Sequence, residues 1–127
     1  QFKMFLDNPV TGIGISNFQF LCENNKSYQN MMIHYDCASH PHNIYIQWLT
    51  EGGLTVFILF ILYLSFLIFF IKNNSGEKKY KIISIAIIII MFWPIMSTGS
   101  LIKNWYGVST FFIIGLSMCL SKFRNNL

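Results

Sequence analysis

The sequence feature that most constrains folding is an uncharged apolar run from Leu54 to Ile71, LTVFILFILYLSFLIFFI. As a helix its 18 residues rise about 27 Å, close to the roughly 30 Å hydrocarbon core of a bilayer. A chain with such a run spans a membrane or buries the run inside a large core. Composition favours the membrane: 54% of the 127 residues are hydrophobic and 11% charged, against about 25% charged in ordinary soluble domains. The same numbers exclude a disordered segment, which needs low hydrophobicity. The chain begins at Gln1 rather than Met, so we expect the C-terminal part of a longer protein.

Two further runs follow. Residues 80–97 contain the isoleucine-rich stretch IISIAIIIIMFWPIM. In water this reads as a buried strand, but in lipid an isolated strand leaves its backbone unpaired, so helix is expected. Pro94 then falls in the last turn, where a kink or an end is expected. Residues 105–120 form the third run, WYGVSTFFIIGLSMCL. Its Gly107, Ser109, Thr110, Gly115 and Ser117 suit close packing against protein on one face. The expected fold is therefore an all-α integral membrane region over 54–127, with helices near 54–71, 80–97 and 105–120. Residues 1–53 form a separate outer segment.

Charge predicts the orientation. The first connection carries Lys72, Lys78, Lys79 and Lys81 against Glu77, and the tail carries Lys122 and Arg124. The second connection has only Lys103, and residues 1–53 carry a net −2. The positive-inside rule puts 72–81 and the C-terminus in the cytoplasm and residues 1–53 outside. Trp48, Trp93 and Trp105 then meet the outer interface, as an aromatic belt does.

The outer segment holds the chemistry. Asn8-Pro9 ends a helix begun at Phe2–Leu6. Gly12-Ile13-Gly14 follows, either a structural turn with close helix packing or a backbone contact to a phosphorylated substrate. Cys22 and Cys37 lie fifteen positions apart. Outside the cytoplasm they can form a disulfide worth about 3 kcal/mol, or remain two thiols. Cys119 reads as a packing residue.

Between them and the membrane lies His34-Tyr35-Asp36-Cys37-Ala38-Ser39-His40-Pro41-His42-Asn43. Its ligand types invite a metal, but the spacing fits no closed zinc pattern, so no metal is expected. The histidines otherwise cap the next helix, face solvent, or move protons, a task suited to a group that titrates near neutrality. Ile44 with Trp48 and Tyr45 with Leu49 are helical pairs. They predict a short interfacial helix to Glu51, capped by Ser39 or His40 with Pro41 in its first turn, loosening at Gly52-Gly53.

SHPHNIYIQWLTEGG, residues 39–53, resembles the signature of the O-antigen ligase and polymerase superfamily: His42-Asn43, nine residues, then Gly53. DNPVTGIGISNF, residues 7–18, resembles that family's NP-x-x-G-x-G-x-x-x-F segment, and residues 100–116 its final-helix stretch. Cys22 and Cys37 sit where some members carry a cysteine pair.

The resemblance implies an inner-membrane glycosyltransferase that takes a glycan from undecaprenyl diphosphate. A ligase gives it to the lipid A core sugar; a polymerase gives it to another lipid-linked repeat unit. The His-Asn spacing favours ligase, with polymerase the alternative and a protein acceptor a third. His42 is the implied catalytic residue, with His40, Asn43, Gly12 and Gly14 as substrate contacts and residues 1–53 periplasmic. Family members hold the departing diphosphate with arginines. Here the only arginine is Arg124, on the inner side, so the arginines are expected upstream of Gln1 and this stretch alone is expected to be inactive. Lys3 and Lys26 are the outer cations present. No cofactor and no nucleic-acid partner is expected. The competing class is a non-enzymatic membrane protein such as a transporter piece, against which stands the lack of charge within the apolar runs.

Overall fold

A computed structural model describes residues 2–29, 41–102 and 104–123. Six helices follow in order: α1 Phe2–Asp7, α2 Phe18–Asn24, α3 Lys26–Gln29, α4 Ile44–Asn73, α5 Lys78–Met91 and α6 Asn104–Leu120. Among the described residues there is no strand.

The long helix α4 organises the rest. Its 30 residues contain the first apolar run, and it is the one helix among the described residues long and apolar enough to cross a membrane. Only 17% of its most apolar stretch is buried. A core helix of a soluble domain would be mostly covered, so this exposure fits a lipid or protein surround. The shorter α6 is also apolar.

A helix before Gly52-Gly53, expected there from the apolar pairs, is the first part of α4. The axis breaks at Gly53, whose φ of 66° and ψ of −169° are accessible essentially to glycine alone. A break interrupts the i to i−4 ladder and strands carbonyls before it and amides after it. The segment Pro9–Gly14 supplies the missing partners. Ile13 N–H donates to Thr50 O at 3.0 Å and Gly14 N–H to Glu51 O at 2.9 Å. In return, Leu54 N–H donates to Pro9 O at 2.8 Å, and Val10 O accepts from Thr55 N at 3.4 Å and Thr55 Oγ1 at 2.9 Å.

The two backbones meet at Gly12 and Gly53. A Cβ on Gly12 would lie 2.4 Å from Glu51 O, and one on Gly53 2.4 Å from Val10 O. The segments NPVTGIG and HN-x9-G, far apart in sequence, are thus two halves of one junction.

The segment after α5 departs from expectation. Helix was expected to Ser97, but α5 ends at Met91 with Phe92 as its C-cap. The residue before a proline disfavours helical backbone, so Trp93 cannot continue the helix into Pro94. Residues 92–102 instead run back along the first part of α4. Phe60 sits where they meet, with ring centroids 5.6 Å from Tyr45, 5.9 Å from Trp48 and 5.9 Å from Phe92. With Ile44, Leu67, Ile71, Ile88 and Ile114 it forms the main core.

On α6, Gly107, Thr110 and Ser117 are buried as expected, but Ser109 and Gly115 are exposed, so the small residues divide between two faces. Lys72, Lys78, Lys79, Lys81 and Lys122 lie at the far end. Lys81 Nζ donates to Lys72 O and Asn74 O at 3.3 and 3.1 Å, capping the last carbonyls of α4. Glu77 N–H donates to Phe123 O at 3.1 Å, and the Tyr80 and Phe123 rings pack edge to face.

A second, smaller core of Met4, Ile13, Phe18 and Cys22 holds α1 and α2 together.

The glycine junction sets the first prediction. Gly53→Ala combines a disfavoured backbone with a steric overlap and should cost about 2–5 kcal/mol. Gly115→Ala, whose new Cβ meets nothing within 4 Å, should be close to neutral. Thermal unfolding of the purified protein in detergent compares the two.

Candidate active site

His42 is exposed at the start of α4, in an open cleft of about 280 Å³ lined by His42, Asn43, Ile95, Met96 and Ser97. Its backbone is fixed: His42 O accepts from Thr98 N–H at 2.7 Å.

Asn43 does the holding. Its Oδ1 accepts from the amides of Tyr45 and Ile46 at 3.0 and 3.2 Å, so Asn43 is the N-cap of α4. The cap is therefore three or four residues later than the expected Ser39 or His40. Asn43 Nδ2 donates to Pro94 O at 2.7 Å, and Tyr45 Oη donates to Phe92 O at 2.6 Å. Burial raises the Tyr45 phenol above its ordinary value, which keeps it a neutral donor. Both carbonyls are left free by the early end of α5. The chemistry that terminates one helix thus holds the start of another.

Behind the cleft is a polar cluster that sequence reading missed. Gln47, Glu51 and Ser100 are each at least 97% buried. Gln47 Nε2 donates to Glu51 Oε2 at 3.1 Å and to Ser100 Oγ at 2.7 Å. The available signal was a polar pair at i and i+4 in an otherwise apolar helix.

The other expected site residues divide. Gly12 N–H donates to Asn8 O within the turn and Gly14 N–H to Glu51 O across the junction with α4. This is the turn-and-packing alternative for that segment. Cys22 is buried and disulfide-bonded, and Cys119 is free and exposed. Cys37 and His40 lie outside the described residues, as do His34, Asp36, Ser39 and Arg124. Among the described residues no group of three or more His, Cys, Asp or Glu side chains could hold a metal ion. Lys3 Nζ donates to Ser27 Oγ at 3.3 Å, on the α1–α3 side of the molecule.

Replacing Asn43 should separate its two tasks. Asn43→Ala removes the cap and the Pro94 tether and should cost about 2 kcal/mol. Asn43→Asp keeps an acceptor for the cap and should cost less. Chemical denaturation of the two variants in detergent provides the comparison.

No curated protein and no solved structure matches this chain. A family model described as O-Antigen ligase matches residues 1–61. The match covers the NPVTGIG segment, His42-Asn43 and the Gly53 break, and it ends within α4; residues 100–116 lie beyond it. Through residues 1–61, the part that builds the glycine junction and carries His42, this chain is similar to the O-antigen ligase family.

Proposed function

We propose that this chain is part of an O-antigen ligase-type glycosyltransferase, which moves a glycan from undecaprenyl diphosphate to the lipid A core sugar. The observation that carries the reading is the setting of His42: exposed in an open cleft, on a backbone held by Thr98, at the start of the helix fit to cross a membrane. The match of residues 1–61 to the ligase family supports it.

In this mechanism the His42 imidazole accepts the proton of the attacking sugar hydroxyl. That oxygen bonds to the anomeric carbon of the donor glycan. The bond from the anomeric carbon to the diphosphate oxygen breaks, and undecaprenyl diphosphate leaves with the electron pair. Asn43 acts by fixing where residue 42 sits. Gly12 and Gly14 act through the helix break, holding the interfacial part of α4 at its angle to the spanning part. His40 is retained as a substrate contact and Cys37 as the partner of Cys22.

The proposed topology has α4, α5 and α6 crossing the inner membrane, residues 1–53 in the periplasm and the C-terminus in the cytoplasm. Lys72, Lys78, Lys79, Lys81 and Lys122 cluster at the end opposite His42, as the positive-inside rule requires. Irregular backbone at membrane depth persists only where its polar groups are satisfied. Within residues 92–98, Tyr45, Asn43 and His42 satisfy Phe92 O, Pro94 O and the Thr98 N–H.

His42→Ala in the membrane-embedded protein should lower glycan transfer at least about 100-fold. The lipid-linked donor should accumulate and glycan on lipid A should disappear. Loss of long chains with single repeats still transferred identifies a polymerase instead, and unchanged transfer rejects the catalytic role.

Topology has its own check. In a Cys119→Ser background, Ser97→Cys should react with a membrane-impermeant maleimide in intact spheroplasts, whereas Lys79→Cys should react only after permeabilisation. The reverse pattern removes the cleft from the donor's side of the membrane.

A further inference from the structure

We infer that Gln47 is a positioning residue for His42, acting through the non-helical segment 92–102 that forms the opposite wall of the cleft; the inference rests on the transferase reading above. The segment brings Ile95, Met96 and Ser97 to the cleft, and its Thr98 amide holds the His42 carbonyl at 2.7 Å. Two residues further on, Ser100 Oγ accepts from Gln47 Nε2 at 2.7 Å. With Phe92–Tyr45 and Pro94–Asn43 before the cleft wall, Thr98–His42 and Ser100–Gln47 are the ties after it between the same segment and the start of α4. Of these, the Gln47 tie is the one made by buried side chains on the far side of the wall, and it holds the segment against the helix where it leads away from His42.

The chemistry of the second tie is costly to bury. A carboxamide, a carboxyl and a hydroxyl lie at 2%, 1% and 3% exposure beside an aromatic core. Apolar side chains of the same size would fill that space at less cost in desolvation. What they cannot supply is direction. Gln47 Nε2 bridges Glu51 Oε2 and Ser100 Oγ, and Ser100 Oγ also accepts from Ile102 N–H at 3.4 Å. The Glu51 carbonyl in turn accepts from Gly14 N–H at 2.9 Å. The cluster thus joins the cleft wall to the glycine junction, so the break in α4 and the position of His42 are set by one connected network.

Gln47 does not line the cleft and is not a group that touches substrate. Its loss should lower kcat rather than donor binding, because a displacement of about 1 Å in a catalytic group can cost on the order of 100-fold in rate.

The test uses the full protein in membranes, with lipid-linked glycan as donor and kcat and KM measured separately. Gln47→Leu should lower kcat about 100-fold with donor KM within about twofold. Gln47→Glu alone should be at least as damaging, since it sets two carboxyls about 3 Å apart in a buried site. The exchange Gln47→Glu with Glu51→Gln restores one carboxyl and one amide, and should recover at least about tenfold of the lost kcat. Ser100→Ala, a milder change, should lower kcat in the same sense if Gln47→Leu accumulates poorly.

Wild-type kcat in both Gln47→Leu and Ser100→Ala overturns the inference, as does an exchange variant that folds but recovers nothing. His42→Ala in parallel separates the two levels: an active His42→Ala removes the transferase reading, whereas an inactive one beside a fully active Gln47→Leu removes only the role of Gln47.

Discussion

The structure depends on one backbone crossing. α4 turns at Gly53, and a turning helix exposes carbonyls and amides that neither lipid nor a packed core can satisfy. The chain supplies them from Pro9–Gly14 in both directions: donors to Thr50 and Glu51, acceptors for Leu54 and Thr55. That exchange requires two backbones within side-chain distance, which is why glycine stands at 12 and at 53. The short α1 and α2 are held to α4 by the same contact. Where α4 bends determines where His42 sits relative to the long apolar part of the helix.

A second layer builds on the first. α5 stops early, and its unpaired carbonyls at Phe92 and Pro94 become the acceptors that receive Tyr45 and Asn43. The irregular segment that results forms a wall of the cleft, and Gln47 and Ser100 tie it from behind. The site is thus assembled from two helix interruptions, one at a glycine and one before a proline, each leaving backbone groups that the other part of the chain satisfies.

Much of this was legible in sequence, and what was hidden has a physical reason. The helix from Leu54 is read from hydrophobicity because length and lack of charge have few other solutions. α6 was read nearly to the residue, since Trp105 and Leu120 bound a clean apolar run. The end of α5 was misjudged because hydropathy continues through Met96 while backbone sterics stop the helix before Pro94. The cap was placed at Ser39 or His40 on residue type, and Asn43 won because its side chain also reaches Pro94, 51 positions away. The meaning of Gly12 was open for the same reason: a glycine pattern reports a close approach but not what approaches. Gln47 with Ser100 was invisible because 53 positions separate them, and no local rule links a glutamine in a helix to a serine in a loop.

The shortness of α5 has a consequence for the surrounding lipid. Its 14 residues rise about 21 Å, several ångströms less than an average hydrocarbon core, while α4 beside it is long enough to cross fully. On the three-span reading, acyl chains next to α5 are matched to the shorter element, and the outer headgroups there sit lower than around α4. On the proposed transferase reading, such a dimple would bring the donor's polyprenyl-linked headgroup toward the cleft wall at residues 95–97 without lifting its tail out of the oil.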